Sequence, residues 1–510
     1  MSAFNPGFQP KIITETEIFR CCFTETGELV VNRGCNLNRQ PTLLEQAHLR
    51  AAFYWLKQHQ PTPQASELER VRGYLEAAYH FSQLEAWESL CQILFVCVDR
   101  ESYSPLHEQL GVWECYSQQI DLCEPLLERV NPEIDCLCLN NLGFAYTHLC
   151  QYQKATHYYQ RLLKLATEIG NREALALALG GLGVCYGHWG QYQTAWDYCQ
   201  QQLLVLDQID EISSKARSCN FFSSEFSEKA QNDPRDNFTL KERCQTLATL
   251  GYLDIHLRCY RHAVRCCREA VEIARQIDAS ETEWYALGRL AIANTQLGKS
   301  KQALEALQQQ YQQRHQGRSC SQISAMLVNI ALVYCYKRQF EETITCVQEL
   351  LQINQQNGNA SLQCYALLIL SFVHMWRNET TLAMERTQQC LKLSQQFGYR
   401  HHESQSLSQL SYLYSDLGET FLALDYGKQA FASAQTVDSA FYTGIALAVL
   451  GLTYLESGKL KDCLRSLSAS FRVLPPWNGG DSKLLLALVV KRLSQFLLKR
   501  IAPQLVLTGL

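Results

Sequence analysis

Five residues of the kind that bind metals fall between positions 256 and 267: His256, Cys259, His262, Cys266 and Cys267. Zinc needs three or four nitrogen or sulfur ligands converging on a tetrahedron. Here Cys259 falls in a predicted turn, and Cys266 has a like-positioned mate, Cys346, with no histidine around it. The cluster therefore reads as ordinary packing, and no metal ligand is assigned. Gly181-Leu182-Gly183-Val184-Cys185-Tyr186-Gly187 has the look of a phosphate-binding loop. No strand precedes it and its third glycine comes one residue late, so the phosphate chemistry is not supported. GxxxxGK[ST], GxSxG, HExxH and HxE…PCxxC patterns are all missing. The expectation is a chain that is not an enzyme, with no cofactor and no catalytic residue.

The elements that carry these residues are set by a repeat. A small residue recurs at Gly111, Gly143, Gly183, Gly251, Ala291, Ala331, Ser371, Ser411 and Gly451. Twelve positions on stand Cys123, Ala155, Ala195, Ala263, Ala303, Thr343, Ala383, Ala423 and Cys463. From Gly251 to Gly451 every step is 40 residues, and the step from Gly143 to Gly183 is the same. The step from Gly183 to Gly251 is longer by 28 residues, which marks an insertion, and the first step, from Gly111, is only 32. Small residues at this spacing let two antiparallel helices approach closely, and an aromatic such as Tyr146, Tyr186, Tyr414 or Tyr454 fills the seam. Turn signals separate the two helices at Gly190-Gln191, Gly298-Lys299, Gly418-Glu419 and Gly458-Lys459. Each unit is thus a helical hairpin that cannot bury its apolar face alone.

Leu182-Gly183, Tyr186, Tyr192 and Ala195, in the pattern Leu-Gly-x-x-Tyr followed by Tyr-x-x-Ala, resemble the tetratricopeptide repeat. The 40-residue step resembles the long-helix variety of kinesin light chains, Pins-type polarity adaptors and many bacterial signalling proteins. The resemblance covers Leu106 to Leu474 and implies an all-α fold, a right-handed superhelical solenoid of antiparallel helix pairs. The Gln-rich, Lys-poor composition also resembles tetratricopeptide proteins of cyanobacteria, where such factors help assemble photosynthetic complexes.

Five segments are expected along the chain. Residues 1–41 form an N-terminal extension in which Ile18 to Val31 reads as a β-hairpin or an ordered loop. Residues 42–105 hold degenerate helical repeats, and residues 106–474 the solenoid. The insertion at 211–239 is Ser-rich with Phe221, Phe222 and Phe226 embedded, and is expected to project as a loop or short helix. Residues 475–510 form a last helix, N-capped by Asp481 or Ser482 and covering the final repeat. Lys491, Arg492 and Lys499 interrupt it, which makes it too short and too charged to span a bilayer.

At 100° per residue, one side of each first helix is taken up by the small-residue seam and the opposite side is free. In the tetratricopeptide family that free side lines a concave groove where partner segments bind. Carried over position by position, it presents Asn141, Phe144, His148, Val184, His188, Tyr252, His256, Arg289, Ile292, Asn329, Tyr336, Phe372, Trp376 and Tyr412. The family's carboxylate clamp for chaperone tails needs Lys and Asn early and Lys and Arg later, and that set is not here. The face is instead aromatic and apolar, which suits an apolar peptide or amphipathic helix. His148, His188 and His256 form a ladder along it, a pattern able to make binding pH-sensitive.

Bulk properties agree. With 46 Lys and Arg against 50 Asp and Glu, and no basic block, a nucleic-acid footprint is not supported. The 23 cysteines include no CxxC pair, and Cys123, Cys185, Cys335 and Cys463 stand where the repeat wants a small apolar residue, so they read as small hydrophobes in a reducing, cytoplasmic setting. No basic region followed by an apolar run opens the chain, so no secretory signal is expected. The first reading is a non-enzymatic protein-protein scaffold or adaptor, for instance an assembly factor. The alternatives are a peptide-sensing signalling regulator, and a metal or tetrapyrrole carrier. Membrane-surface binding is not favoured.

Overall fold

The computed structural model describes residues 42–59, 61–62, 64–97, 104–149, 151–189, 191–220, 234–313, 320–357, 359–437, 439–475 and 479–508. The expected hairpin at 18–31 and the three insertion phenylalanines lie outside them. The described residues hold only helices, turns and one isolated bridge between Cys97 and Pro105. The fold is an all-α helical-repeat solenoid. It divides into two compact units, residues 1–189 with 193–246, and residues 190–192 with 247–510.

The first unit opens with α1 (Leu43–Gln58), α2 (Glu67–Gln83) and α3 (Trp87–Leu94). Thr42 caps α1 in a reciprocal capping box with Glu45, satisfying two otherwise orphaned amides. Next come α4 (Leu106–Val112) and α5 (Tyr116–Cys123), then α6 (Pro132–His148), α7 (Tyr152–Ile169) and α8 (Arg172–His188). Asn131 and Asn171 accept from the amides of Ile134 and Ala174, which fixes where α6 and α8 begin. The small-residue seam is tight: a Cβ added to Gly143 would stand 2.7 Å from the Tyr159 ring, and one at Gly183 2.7 Å from Cys199 Sγ. Tyr146 stacks on Tyr158 and Tyr186 on Tyr198, each pair 5.4 Å apart and nearly parallel. The seam aromatic is therefore matched by a second one twelve positions on.

Helices α9 (Tyr192–Asn220) and α10 (Pro234–His256) show that much of the 211–239 insertion is helix. The two repeat helices flanking it are lengthened at its two ends, and residues 221–233 lie outside the described residues. Glu211, Lys215, Ala216 and Arg217 are good helix formers and support the first of these extensions.

In the second unit, the C-terminal part of α10 is followed by α11 (Tyr260–Gln276), α12 (Ser280–Gln296), α13 (Ser300–Gln312), α14 (Cys320–Tyr336) and α15 (Phe340–Asn357). Then come α16 (Ala360–Trp376), α17 (Thr380–Phe397), α18 (Arg400–Asp416), α19 (Thr420–Thr436), α20 (Ala440–Glu456), α21 (Leu460–Val473) and α22 (Gly480–Thr508). Even-numbered helices up to α20 are the first members of the hairpins. Where serine replaces the small glycine or alanine it is bonded: Ser411 donates to the Ala423 carbonyl at 2.7 Å, and Ser371 pairs with Thr387 at 2.6 Å. A buried hydroxyl without a partner would be costly, so each has one.

The turn within each hairpin needs one left-handed residue, and it recurs at Arg258, Gly298, Arg338, Asn378, Gly418 and Gly458 with φ between 59° and 83°. Three of the six are not glycine, although a side chain there costs about 1 kcal/mol or more. The last helix also differs from expectation. It starts at Gly480, and Ser482 is not its cap; the Ser482 hydroxyl accepts from Arg258 at 2.7 Å.

Candidate functional site

The predicted free face is built by the first helix of each hairpin, and the two units use it differently. In the first unit Phe144, His148 and His188 are exposed and Val184 is half-buried. Each histidine ends its helix and is met by the tyrosine that opens the preceding return helix. His148 stacks on Tyr116 at 5.0 Å and 12°, and His188 on Tyr152 at 5.4 Å and 9°. Phe144 adds a tilted ring contact to His148 at 4.3 Å. Asn141 is buried, with its amide 3.1 Å from Nδ1 of His107. It packs between neighbouring hairpins and leaves the face to the aromatic residues.

In the second unit His256 repeats the motif, stacked on Tyr192 at 4.3 Å and 8° with Tyr252 edge-on at 4.5 Å. Its ring keeps accessible surface, yet the surrounding wall pushes its pKa down to about 4, with Arg289 and His401 adding to the effect. The pH-sensitive ladder expected from sequence therefore has one rung that stays neutral through the physiological range. Arg289 lies over Tyr252 and Tyr285 at 5.4 and 5.8 Å. Among the described residues, no carboxylate stands within ion-pair reach of its guanidinium. Ile292, Asn329 and Phe372 are half-buried along the same face.

The ends of these helices carry the strongest geometry. Gln296, Tyr336, Trp376, Asp416 and Glu456, spaced by 40, close α12, α14, α16, α18 and α20. Helix α22 runs across all five. Gly479 and Gly480 sit against Tyr260, Gln296 and Tyr336 so closely that a Cβ on Gly479 would stand 2.6 Å from the Tyr260 ring. Further along, Lys491 covers Trp376 at 5.2 Å and donates to Asn378 at 3.3 Å. Arg338 packs on the same indole at 4.6 Å. At the far end Arg492, 1% exposed, pairs with Asp416 and, at 3.3 Å, with Glu456, and lies over Tyr412. Leu485 and Val489 join a buried cluster with Tyr412, Val449, Leu452 and Leu455. The last helix is thus more than a cover for the final repeat. Its apolar-and-basic pattern alone, without the position of α12 to α20, does not tell a reader of the sequence that it turns back over them.

The remaining chemical clusters lie among the hairpins. Of the five candidate metal ligands only His262 and Cys266 come together, and with them Asp254, which the sequence did not single out. Asp254 Oδ2 is 2.5 Å and Cys266 Sγ 3.5 Å from the same Nδ1 of His262, which is the geometry of a hydrogen-bonded group. Burial, with Asp254 beside it, pushes the Cys266 thiol up to about 12. His256 is turned away onto Tyr192. Cys123, Cys185, Cys335 and Cys463 are buried, as their repeat positions require. The glycine run at 181–187 lies inside α8, with Gly181 against Tyr159.

This arrangement, hairpins in a fixed register with an aromatic inner face, defines a helical-repeat protein of the interaction type. Residues 135–201 match the tetratricopeptide repeat family. The match covers one hairpin and parts of its neighbours, and the hairpins of the second unit continue the same 40-residue register. No curated protein matches it in sequence. Among solved structures it is similar to the apo quorum sensor NprR from B. thuringiensis, at 12% identity over 80% of this chain and 99% of that one, with TM-score 0.48. A Rap protein complexed with Competence and Sporulation Factor is similar at 12% identity over 72% and 98%, with TM-score 0.46. The STAND signal-transduction ATPase with a tetratricopeptide repeat sensor from Pyrococcus horikoshii is similar at 14% identity over 90% of this chain and 56% of that one, with TM-score 0.43. No helix among the described residues is long and apolar enough to cross a membrane.

Proposed function

We propose that the chain is a non-enzymatic interaction scaffold or adaptor that holds a protein segment on the inner face of its hairpins, as an assembly factor does. The observation that carries this reading is α22 itself. An amphipathic helix lies on the inner helix ends of the second unit, so that surface has the shape and chemistry to take a helix. The exposed Phe144, His148 and His188 of the first unit offer a second stretch of the same kind. The partner is an apolar or amphipathic protein segment, and the buried free thiols suit a reducing, cytoplasmic setting. The test is an affinity capture from the native host, comparing wild type with a Tyr252→Ala, Phe372→Ala, Trp376→Ala variant whose fold is checked by circular dichroism. Proteins retained by wild type and lost from the variant support the reading. Identical captures reject the second unit's inner face as the binding surface.

A peptide-sensing regulator is the second reading, favoured by Arg289. A desolvated guanidinium among tyrosines without a carboxylate beside it suits the carboxylate of a short peptide. Arg289→Leu abolishing the binding of acidic peptides, with apolar ligands unaffected, would favour it over the first.

A further inference from the structure

We propose that α22 is an exchangeable occupant of the second unit's inner face, and that the physiological partner is a basic amphipathic helix of the same pattern that displaces it. The proposal rests on the scaffold reading and specifies what the scaffold takes. The pattern is two aliphatic residues four apart followed by a cation: Leu485, Val489 and Arg492. On an α-helix these project from one side, and here that side faces the solenoid, while Val490 is left half exposed.

Three observations make the face a docking surface and not plain core. The first is charge. Asp416 and Glu456 converge on the single guanidinium of Arg492, and no other cation pairs with either among the described residues. With α22 lifted away, two carboxylates are left side by side, so whatever replaces it must bring a positive charge. The second is the turns. Of the six left-handed positions inside the second unit's hairpin turns, the three that keep a side chain are Arg258, Arg338 and Asn378, while Asp278, also left-handed, lies between hairpins. Arg258 donates to Ser482, Asn378 accepts from Lys491, and Arg338 packs on the indole that Lys491 covers from α22. The unstrained choice, glycine, stands at the three turns with no such contact. Among these six hairpin turns, strain is kept where the side chain meets α22, as a built recognition surface would keep it.

The third observation is the tether. Leu474 packs against Gly444 at the start of α20, and five residues later Gly479 is at the end of α12. That reach is at most about 18 Å of extended chain, so α22 competes from a short leash. A short leash sets an effective concentration of the order of millimolar, which a free helix must outbid. Binding at micromolar levels then requires either a better match to Asp416 and Glu456 or a loosened α22.

The test uses the full chain and a fluorescent peptide of residues 480–496. In wild type the α22 amides exchange slowly with deuterium and the peptide binds weakly. Arg492→Glu sets a third negative charge against Asp416 and Glu456. It is expected to speed exchange across α22 and to tighten peptide binding at least tenfold, while a peptide carrying the same Arg492→Glu change does not bind. Adding Asp416→Arg to the Arg492→Glu chain should restore slow exchange. Should Arg492→Glu fail to fold, the Arg258→Ala, Asn378→Ala pair, which leaves the buried core untouched, carries the same expectation. Unchanged exchange and unchanged peptide binding in the released variants overturn the proposal. If released variants bind the peptide but capture nothing more from the host than wild type, the partner half fails and α22 is only a cap. If the host partner is captured without any exchange of α22, this proposal fails and the scaffold reading survives.

Discussion

The inner face of the first unit and that of the second are built from the same positions of the same hairpin, yet one is open and the other is covered. Phe144 is 39% exposed, whereas Tyr412 and Leu452, at equivalent positions, are 8% and 3% exposed. At the helix ends, His148 and His188 stack on the tyrosines of the preceding return helices, while Asp416 and Glu456 hold an arginine from far along the chain. The repeat frame fixes where a side chain points. It does not fix what meets it. That is decided by the few residues at helix ends and turns, and those vary between units while the seam stays constant.

The largest effect that tests this contrast is on stability. Leu485→Ala removes a buried side chain from the cover of the second unit and should cost about 2–4 kcal/mol. Phe144→Ala, on the open face, should stay within about 0.5 kcal/mol of wild type, since nothing is left unpacked. Urea denaturation followed by circular dichroism measures both. Equal losses would mean that the first face is packed in solution and that the contrast is wrong.

A second contrast is in pH. His107 in the first unit and His402 in the second are buried, and burial pushes their pKa values down to about 4 and about 3, with His401 beside His402 adding to the shift. A histidine with a depressed folded value binds fewer protons folded than unfolded. Its stabilising contribution is complete above the unfolded value of 6.5 and is lost as pH falls from there towards the folded value. Between pH 7 and pH 5 each should therefore lose about 2 kcal/mol. His107→Gln and His402→Gln should each flatten the fall in urea midpoint over that interval. If neither does, these rings are protonated in the fold and their burial is not what sets the acid sensitivity.

Much of this was legible in the sequence, for a physical reason. A hairpin that can form only if Gly143 clears Tyr159 and Gly183 clears Cys199 cannot tolerate drift at those positions, so the register survives and can be counted. The inner-face rows followed, because 100° per residue places Phe144 and Trp376 without knowledge of their neighbours. What escaped was long-range. Nothing near Arg492 in sequence announces Asp416 or Glu456, and nothing near Ser482 announces Arg258. Such pairings depend on how the hairpins stack, a sum of small angles that local periodicity does not encode. Asn141 shows the same limit from the other side, since its polar side chain marks a free face in sequence and a buried bond to His107 in the fold. A local signal did exist at the turns. Arginine and asparagine at positions 258, 338 and 378, in register with glycine at 298, 418 and 458, break the pattern where function is now inferred.

Those turns give the smallest and most discriminating effect. Asn378→Gly relieves a left-handed residue at φ 61°, worth up to about 1 kcal/mol, and deletes the Lys491 contact, worth about 0.5–1.5 kcal/mol. The two nearly cancel, so the denaturation midpoint should hardly move while exchange of the α22 amides near Lys491 quickens. Gly418→Asn at the equivalent turn has no such compensation. At φ 83° it should cost about 1 kcal/mol and leave α22 exchange unaltered, because no contact to α22 is lost. Opposite pairings of stability and exchange at two equivalent turns would separate residues kept for the fold from residues kept for the helix that lies on it. If both substitutions act on stability alone, the side chain at 378 is there by drift, and the turns carry no mark of what the face binds.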